Sequence, residues 1–579
     1  MRLLQEQPQR MAQERAALEK YAKNAEGFKL LAWSASTTGD LSVNFELNVV
    51  GLLFNGVLVY PEFFPDVPAF VRPKNGHESW SSHQYLGTGV LCLEYGPDNW
   101  HPGITGVDLV RSATALIGQE ILHKISPRFG PVPSRHRETV EQALSEQSER
   151  LLVTKGLKQL LTGPGRGMAV QLNGTVDWLR HESVALVVQA GDPLALLGDV
   201  PDAIYRGPGF KFQGVAVPVP TVAALSDAKD ALELKDRLGP VWPWNDGDNN
   251  QLLFLLAHDP AGEVCSYLLK MGSGDFFRRY YPVTIEAEEL QRLPAHFSKL
   301  SGVSVAIVGL GSLGSKIAVS LARAGIKDFV LVDDDVLLPP NLVRNEFNWT
   351  DVGFSKVEAA VRAVKLVAPD ILVTTWPIRI AGQGNPSLSA KAAQALAACT
   401  LVIDATANPG AFVALAALTK RAGNAMLWGE VFGGGGGALM ARSLPGVDAG
   451  ALSIRSHLNG VMKTMAPAPT ARAVSYGVES DGVVYVASDA DVGSLAASMT
   501  QFSLDTLCAD STDYPAGAYL IGFRKFWEFR CPFDVIPVDC PKASETTPAQ
   551  PLSEEEQQAI LAIQKSIGED ASAANLGAS

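Results

Sequence analysis

Cysteine is scarce in this 579-residue chain, which has six, and no two of them are separated by only two residues. The sequence therefore lacks the C-x-x-C spacing of the usual structural zinc sites. It has no run of about 18 apolar residues, so it predicts no membrane span. The first 23 residues carry charges throughout and lack the apolar segment of a signal peptide. We expect a cytoplasmic protein with reduced thiols.

Positive charge is also in short supply. The chain has 48 Lys and Arg against 61 Asp and Glu, a formal net charge of −13. This balance disfavours direct binding of nucleic acid or of an anionic membrane, because both need clustered cations. An apolar content of 47% with 19% charged residues excludes a wholly disordered chain. The length is too great for a single core and predicts several domains.

The pattern along the chain predicts a multidomain α/β protein. An N-terminal α+β domain spans about residues 1–150, with a Gly/Pro boundary near 130–134 (GPVPS). A middle α+β region, 151–298, mixes short strands with turns and shows no catalytic constellation, so we interpret it as a linker or scaffold domain. A doubly wound domain follows at 299–540. The remainder, 541–579, has a linker composition with one short helix near 554–567, capped by Ser553 and Glu556.

The doubly wound region opens with a nucleotide-binding motif. The apolar strand 303–308 (VSVAIV) runs into the sequence GLGSLG, and a helix and a second strand follow. That second strand ends at Asp333, where an acid can accept hydrogen bonds from ribose hydroxyls. Glycines at these spacings let backbone N–H groups approach a phosphate at the start of the helix. The three motif glycines are Gly309, Gly311 and Gly314.

The motif alone fits NAD, FAD, S-adenosylmethionine or ATP, and the residues that follow it discriminate. Arg344 and Lys356 come soon after the acids Asp333 and Asp335. Two added cations beside a group of acids suit a triphosphate with magnesium better than a dinucleotide. A Rossmann oxidoreductase that binds NAD is the alternative, and the placement of the two cations argues against it.

These motifs, GxGxxGS, DxDxVxxxNLxR and GxxK in this order, resemble the ThiF/MoeB adenylation domain shared with ubiquitin-activating enzymes, over about 300–540. The resemblance implies a domain that uses ATP to adenylate the C-terminal carboxylate of a small protein. It implies that Asp333 holds the ribose. It also implies that the phosphates are lined by Asp335, Asn341, Arg344 and Lys356, with Arg344 and Lys356 promoting the reaction by charge stabilisation.

The chain departs from this family at the magnesium ligand. Where the family has DxxDN, the sequence reads Asp404-Ala405-Thr406-Ala407-Asn408, so Ala407 replaces the second acid. Asp404 is then the remaining acid of this motif, and we predict that it contributes to nucleotide and Mg²⁺ binding.

The N-terminal region resembles the ubiquitin-conjugating enzymes over roughly 10–150. The resemblance rests on a Pro-rich segment at 60–73, on GVLCL at 89–93 and on Trp-His-Pro at 100–102. It implies that Cys92 carries a thioester. Gln84 stands eight residues before Cys92, where the family has Asn, and its amide is the predicted donor to the oxyanion. The alternative for Cys92 is a buried core cysteine.

Ubiquitin-activating enzymes usually use a cysteine of their own, and the expected crossover segment, about 441–491, contains none. Cys531 is the preferred candidate, because Lys525 and Arg530 are near in sequence and cations lower a thiol pKa. Alternation with Trp527 and Phe529 would instead place Cys531 in the core. Cys508 is interpreted as core at a helix end and Cys540 as part of a mobile linker; the absence of a second catalytic cysteine also stays open.

Both signatures in one chain resemble the fused proteins of bacterial CBASS anti-phage islands. The resemblance implies that ATP and Mg²⁺ activate the C-terminal tail of a cGAS/DncV-like nucleotidyltransferase or of a ubiquitin-like protein. The tail would be carried on cysteine and joined to a lysine amine of an acceptor, and the enzyme would be a homodimer. The alternatives are a ThiF-type sulfur-carrier activating enzyme and a non-catalytic scaffold. Neither a membrane nor a nucleic acid is an expected partner.

Overall fold

The computed structural model describes residues 2–37, 39–76, 78–81, 83–85, 88–126, 128, 147–163, 167–201, 204, 209–244, 252–270, 276–284, 293–465, 472–474, 477–480, 483–543, 553 and 556–560. The chain forms two compact units, 1–145 and 146–579. A separate middle domain at 151–298 stays a prediction, because its residues share a unit with 299–540. The predicted boundary at 130–134 lies outside the described residues. Among those that are described, no helix has the length and apolarity needed to cross a bilayer.

The first unit consists of a four-stranded antiparallel meander and the helices that pack against it. Its strands pair in chain order, and their side chains alternate between a buried and a more exposed face, as in β2 (LSVNFELNV), where Val43, Phe45 and Leu47 are buried. Thr105 caps the long third helix and exchanges hydrogen bonds with Asp108. The elements are α1 (Arg2–Glu6), α2 (Pro8–Asn24), β1 (Phe28–Ala35), β2 (Leu41–Val49), β3 (Leu52–Tyr60), β4 (Phe70–Pro73) and α3 (Gly106–Ile125).

A buried carboxylate ties three of these elements together. Glu14 in α2 is 1% exposed, and its Oε2 accepts hydrogen bonds from Tyr60 Oη (2.8 Å) and from the Gly106 N–H (2.7 Å). Its Oε1 lies 2.9 Å from Arg10 Nη2. A Cβ on Gly106 would lie 2.0 Å from Tyr60 Oη, so glycine is required there. Burial beside Glu14 raises the pKa of Tyr60 well above its usual value.

The second unit begins with an eight-stranded mixed sheet. Its order is β5-β12-β11-β10-β9-β6-β7-β8, and β5 also pairs with β7, so seven strands close into a ring. The region predicted to hold short strands and turns therefore has its own buried core. Its elements are β5 (Glu149–Val153), α4 (Lys155–Thr162), β6 (Val170–Leu179), β7 (Glu182–Ala190), β8 (Ala195–Leu196), β9 (Phe210–Pro218), α5 (Ala231–Leu238), β10 (Leu253–His258), β11 (Val264–Lys270) and β12 (Phe276–Thr284).

The second sheet of this unit has the predicted doubly wound form, with order β15-β14-β13-β16-β17-β18-β22-β23. Strands β13 to β17 are parallel, and β18, β22 and β23 are antiparallel additions. The strands are β13 (Ser304–Val308), β14 (Asp328–Val332), β15 (Leu372–Trp376), β16 (Leu401–Asp404), β17 (Ala425–Phe432), β18 (Gly437–Ser443), β22 (Ala518–Gly522) and β23 (Val535–Val538). Order 3-2-1-4 among the first four parallel strands creates a crevice at their carboxyl ends.

Helices cover both faces of this sheet, and its parallel strands are correspondingly apolar. The helices are α6 (Ser312–Ala324), α7 (Lys356–Val367), α8 (Pro386–Ala397), α9 (Pro409–Ala422), α10 (Ala451–Thr464) and α11 (Asp489–Cys508). A small separate sheet is formed by β19 (Arg472–Val474), β20 (Gly477–Ser480) and β21 (Val483–Tyr485). In the tail, residues 556–560 are helical and the predicted Ser553–Glu556 capping box is present; the rest of the predicted helix lies outside the described residues.

The Glu14 network predicts a large loss of stability in Glu14→Ala. This change leaves a buried phenol and a buried N–H without their acceptor and removes the ion pair of Arg10, which keeps the carbonyl oxygens of Pro102 and Ile104 as acceptors. We therefore expect a loss of about 3–5 kcal/mol in the free energy of unfolding. Urea titration of the full chain measures it. Glu19→Ala is the matched control, because Glu19 lies on the same helix in an exposed pair with Arg15, and there we expect at most about 0.5 kcal/mol. Equal effects of the two substitutions would contradict the assigned role of Glu14.

Candidate functional site

A cavity of about 940 Å³ lies at the carboxyl ends of β13, β14, β15 and β16. It is lined by residues that follow four different strands, and these residues meet because the carboxyl ends of the parallel strands lie side by side in the sheet. Seven of the predicted site residues line it: Gly309, Gly311, Asp333, Asp335, Asn341, Arg344 and Lys356. Gly314 and Asp404 are predicted site residues that do not line it.

The three glycines of the motif have different physical roles. Gly309 has φ +89°, and a Cβ there would lie 3.0 Å from the backbone of Ala405. A Cβ on Gly314 would lie 1.8 Å from the Gly309 carbonyl oxygen, so this glycine allows α6 to pack against the turn. Gly311 is the N-cap of α6 without a side-chain cap, and a Cβ there would meet no atom within 4 Å. The first turn of α6 thus faces open space in the cavity, as phosphate binding requires.

Asp333 is held in a fixed orientation at the end of β14. Its Oδ2 accepts a hydrogen bond from the Leu310 N–H (2.6 Å) and its Oδ1 accepts one from the Asp335 N–H (2.8 Å). Burial raises the pKa of this carboxyl, against the lowering effect of the two N–H donors. Each oxygen keeps a second lone pair, so the carboxylate has the acceptors that a ribose diol needs.

The predicted phosphate ligands are close together but engaged with other groups. Lys356 is buried, and its Nζ lies 2.6 Å from Asp335 Oδ2. Arg344 donates from Nη1 to the carbonyl oxygen of Ala487, which precedes α11 (3.1 Å). The Oδ1 atom of Asn341 accepts a hydrogen bond from the Leu338 N–H, which caps a short 3-10 helix (Pro339–Val343). A nucleotide would therefore exchange these contacts for contacts with phosphate.

Sequence reasoning missed several residues of the cavity. Asn345 is buried there and donates to the Leu310 carbonyl oxygen (3.3 Å). Thr406 and Asn408 line it from the turn after β16. Arg379 also lines it, from the turn after β15 and between two isoleucines. The carboxyl-end rule for parallel sheets is the signal that could have found them, since each follows a strand of this sheet.

The structure disfavours Asp404 as a direct metal ligand. Asp404 is 4% exposed, and its Oδ1 accepts hydrogen bonds from the Thr406 N–H (2.9 Å) and Oγ1 (2.6 Å). The side chain of Ala407 has no oxygen to replace the family's acid. The carboxylates that line the cavity are instead those of Asp333, Asp334 and Asp335, whose oxygens lie within 4.8 Å of one another. Hard oxygen donors of this kind fit Mg²⁺.

Cys92 and Gln84 lie in a short antiparallel pairing of the first unit. Gln84 forms a bridge with Leu91, and the Cys92 N–H donates to the His83 carbonyl oxygen (2.9 Å). Because side chains alternate along paired strands, His83 and Cys92 share one face and Gln84 lies on the other. Cys92 is half-buried rather than in the core. Its predicted thioester role stays a prediction.

The amide of Gln84 is committed to the backbone of its own loop. Its Nε2 donates to the carbonyl oxygens of Glu78 (2.9 Å) and Gly89 (3.1 Å), which uses both hydrogens, and its Oε1 accepts the Trp80 N–H (2.9 Å). In this arrangement Gln84 holds the loop that precedes Cys92. The structure therefore disfavours the predicted donation from Gln84 to an oxyanion.

The other cysteines differ sharply in exposure. Cys531 is exposed. The predicted alternation around it is wrong, because Trp527 has φ +53° in a turn and β23 begins only at Val535. Cys508 is buried at the end of α11, as predicted. The predicted mobility of Cys540 is wrong: its thiol is buried, and burial raises its pKa to about 11.

Comparison with known proteins identifies the nucleotide-binding part of the second unit. Residues 288–482 match the ThiF family. The chain contains a ThiF domain. This domain includes the glycine turn, Asp333, Arg344 and Lys356, so the predicted resemblance is confirmed for this part of the chain. It also covers Asp404 and the turn after β15.

The curated relatives of this chain match it over only part of its length. Protein y4qC of Sinorhizobium fredii is 35% identical over 141 residues, 24% of each chain. Ubiquitin-like modifier-activating enzyme 5 of Drosophila persimilis is 35% identical over 91 residues, 16% of this chain and 24% of the relative. ATP-dependent ubiquitin transferase-like protein Cap2 of Enterobacter hormaechei is 30% identical over 131 residues, 23% of this chain and 21% of the relative. The matches thus span about a quarter of each relative's length.

Among solved structures, E. coli MccB with ATP is similar to 42% of this chain and 67% of its own, at 17% identity and a TM-score of 0.32. A likeness at this level carries no argument about residue roles.

Burial of Asp404 beside the ThiF cavity predicts a pH-dependent stability difference. Burial raises the pKa of this carboxyl above its unfolded value. Its contribution to stability is therefore full below the unfolded pKa and is lost as the pH rises through the folded pKa. Asp404→Asn keeps an oxygen for Thr406 but cannot ionise. We expect it to gain stability relative to wild type as the pH rises above about 4, the ordinary pKa of an Asp carboxyl, as measured by urea titration. Asp328→Asn, at the exposed start of β14, is the control; a gain that is no larger in Asp404→Asn contradicts the burial argument.

Proposed function

We propose that this chain uses ATP to activate the C-terminal carboxylate of a partner protein and passes the acyl group through cysteine to a lysine amine. One observation carries the first step: the cavity of the ThiF domain joins the open glycine turn, the oriented Asp333 carboxylate and the cations Arg344 and Lys356. The names of two relatives, a ubiquitin-like modifier-activating enzyme and a ubiquitin transferase-like protein, support the later steps.

In the adenylation step the protein acts by position and charge. Asp333 accepts hydrogen bonds from the ribose hydroxyls, and the N–H groups at the start of α6 face the phosphates. A carboxylate oxygen of the partner attacks the α-phosphorus, and pyrophosphate leaves. Arg344 and Lys356 stabilise the negative charge that develops on the phosphate oxygens. When bound, Mg²⁺ would neutralise charge on the triphosphate, and Asp334 and Asp335 are the cavity carboxylates that are not assigned to the ribose.

The later steps move the acyl group between sulfur atoms. A thiolate attacks the carbonyl carbon of the acyl adenylate, and AMP leaves. Cys531 is proposed for this step, because it is exposed and follows the exposed Arg530, whereas Cys508 and Cys540 are buried. Transthiolation to Cys92 follows, and a lysine amine then attacks the thioester and releases the thiolate. Carrying both thiols on one chain raises their effective concentration for the exchange.

The N-terminal unit supports a conjugating role by its architecture. A helix, a four-stranded antiparallel meander, a loop that carries the half-buried Cys92 and a capped helix follow one another. The three motifs that resemble ubiquitin-conjugating enzymes lie within this series of elements. We propose that the unit is the acceptor of the acyl group, that the activated partner is a cGAS/DncV-like nucleotidyltransferase or a ubiquitin-like protein, and that the setting is anti-phage defence.

Two copies of the chain are proposed to associate through the ThiF domain. Val343, Trp349 and Phe354 are each more than half exposed and lie in the segment between Asp333 and Lys356. Large apolar side chains exposed together mark a protein interface. A ThiF-type sulfur-carrier activating enzyme is the second candidate function; it needs the same adenylation cavity but no thioester on Cys92.

A pair of glycine substitutions tests the nucleotide assignment. Gly311→Ala adds a methyl group to open space in the cavity, so we expect normal folding and at least about tenfold weaker ATP binding by calorimetry. Gly314→Ala meets the Gly309 carbonyl oxygen, so we expect a loss of stability of more than about 1 kcal/mol. Unchanged ATP binding in Gly311→Ala would show that the phosphates do not bind at the first turn of α6.

Exchange of labelled pyrophosphate into ATP tests the activation step, with a candidate partner tail present. We expect Lys356→Ala to lower the exchange at least about 100-fold through the loss of charge stabilisation. Cys92→Ser should exchange like wild type but form no lysine conjugate. Cys531→Ser should keep exchange and lose the first thioester. Conjugates formed by Cys92→Ser would contradict the relay. Exchange by the wild-type chain without any lysine conjugate would favour the sulfur-carrier alternative, and no exchange with any tail would favour the scaffold.

A further inference from the structure

Arg379 is a cation of the ThiF cavity to which the proposed function assigns no role. Arg379 lines the cavity from the turn after β15. The other two cations of the lining are engaged, Lys356 with Asp335 and Arg344 with Ala487. Within the described part of the chain, the guanidinium of Arg379 makes no hydrogen bond and no ion pair, and the residue is exposed. Its five N–H groups and its flat face are therefore available to a ligand.

The position of Arg379 relative to Asp333 decides which part of a nucleotide it meets. Trp376 pairs in register with Val332, and the Asp333 N–H donates to the Trp376 carbonyl oxygen (3.3 Å). The turn that carries Arg379 therefore lies beside the ribose acid. The glycine turn follows β13, which is on the other side of β14. Neighbouring strands are about 4.8 Å apart, so roughly 10 Å separates β13 from β15. A nucleotide with its phosphates on the glycine turn and its ribose on Asp333 extends its base toward Arg379.

The side chain of Arg379 is held by its own turn. A Cβ on Gly382 would lie 2.8–2.9 Å from the Cβ, Cγ and Cδ atoms of Arg379, so glycine at this position lets the aliphatic stem lie over the backbone. Ala381 lies between Arg379 and Gly382 in the chain, and its φ of +56° reverses the direction of the backbone at this point. The stem is thus supported while the guanidinium at its end stays exposed to the cavity.

The surroundings of Arg379 suit a ring better than a phosphate. Ile378 and Ile380 line the cavity on either side of it, and Ala405 and Ala411 line it from the turn after β16 and from α9. Apolar side chains contact the edges and faces of a base, whereas phosphate is bound by N–H groups and cations. A guanidinium plane stacks on an aromatic face.

We propose that Arg379 is a base-binding residue, which stacks its guanidinium on the purine ring of the nucleotide while Ile378 and Ile380 contact the ring edges. The inference rests on the proposed function only in taking the ligand to be a purine nucleotide. It assigns the strand after the ribose acid the task of holding the base.

Calorimetric titration of the full chain with ATP, AMP and tripolyphosphate tests this assignment. Tripolyphosphate has the charges of the nucleotide but no base. We expect Arg379→Ala to weaken ATP and AMP binding by the same factor, about tenfold, and to leave tripolyphosphate unchanged. Gly382→Ala should weaken ATP and AMP in the same pattern, because its methyl group displaces the stem of Arg379 without removing the charge.

Arg421→Ala is the matched control, since Arg421 lies in the last turn of α9, at the end of that helix farthest from the cavity. It should bind all three ligands like wild type, and thermal unfolding of each variant confirms that the fold is intact. Unchanged ATP binding in Arg379→Ala overturns the inference alone. A loss that includes tripolyphosphate, or that is larger for ATP than for AMP, also overturns it by placing Arg379 on the phosphates. A wild-type chain that binds no nucleotide overturns the proposed function itself.

Discussion

The close approach of strand β13 and helix α6 is the constraint on which the candidate site depends. Only a hydrogen atom fits at Gly314, because a Cβ there would lie 1.8 Å from the Gly309 carbonyl oxygen. With the helix held at this distance, its first turn opens onto the crevice between the strand ends. Gly309 and Gly314 allow this close packing, and a Cβ on Gly311 would still meet no atom within 4 Å. The anion-binding geometry is thus a consequence of packing.

Three charged groups around this turn and the lysine that pairs with one of them have partners without a ligand. Asp335 neutralises Lys356, backbone N–H groups orient Asp333, and Arg344 is bonded to the carbonyl oxygen of Ala487. A buried cation or carboxylate without such a partner would cost several kcal/mol. A triphosphate that takes these cations from Asp335 and Ala487 leaves Asp335 without its cation, so a further cation such as Mg²⁺ would be needed to restore the balance. Binding and the orientation of the segment before α11 are therefore expected to be linked.

The cysteine thiols of the chain differ in exposure. Cys508 and Cys540 are buried, and burial raises both pKa values, which keeps these sulfurs protonated and unreactive at neutral pH. Cys531 is exposed in a turn, and Cys92 is half-buried in a loop whose backbone is fixed by the Gln84 amide. A loop held by three hydrogen bonds to one side chain presents its neighbour at a defined position. Gln84 therefore fixes the backbone of the loop that precedes Cys92.

The sequence by itself determined the doubly wound domain, its glycine motif and the acid Asp333 at the end of β14, because glycine spacing, strand hydrophobicity and a following acid are local features of the chain. It also indicated the Ser553–Glu556 capping box. Only the tertiary structure decided the closed ring of β5 to β12, the burial of Cys540, the exposure of Cys531 and the withdrawal of Asp404 from the cavity. It alone brought Asn345, Thr406 and Arg379 to the site. These depend on contacts between residues far apart in the chain, and local patterns carry no information on which strand ends will meet.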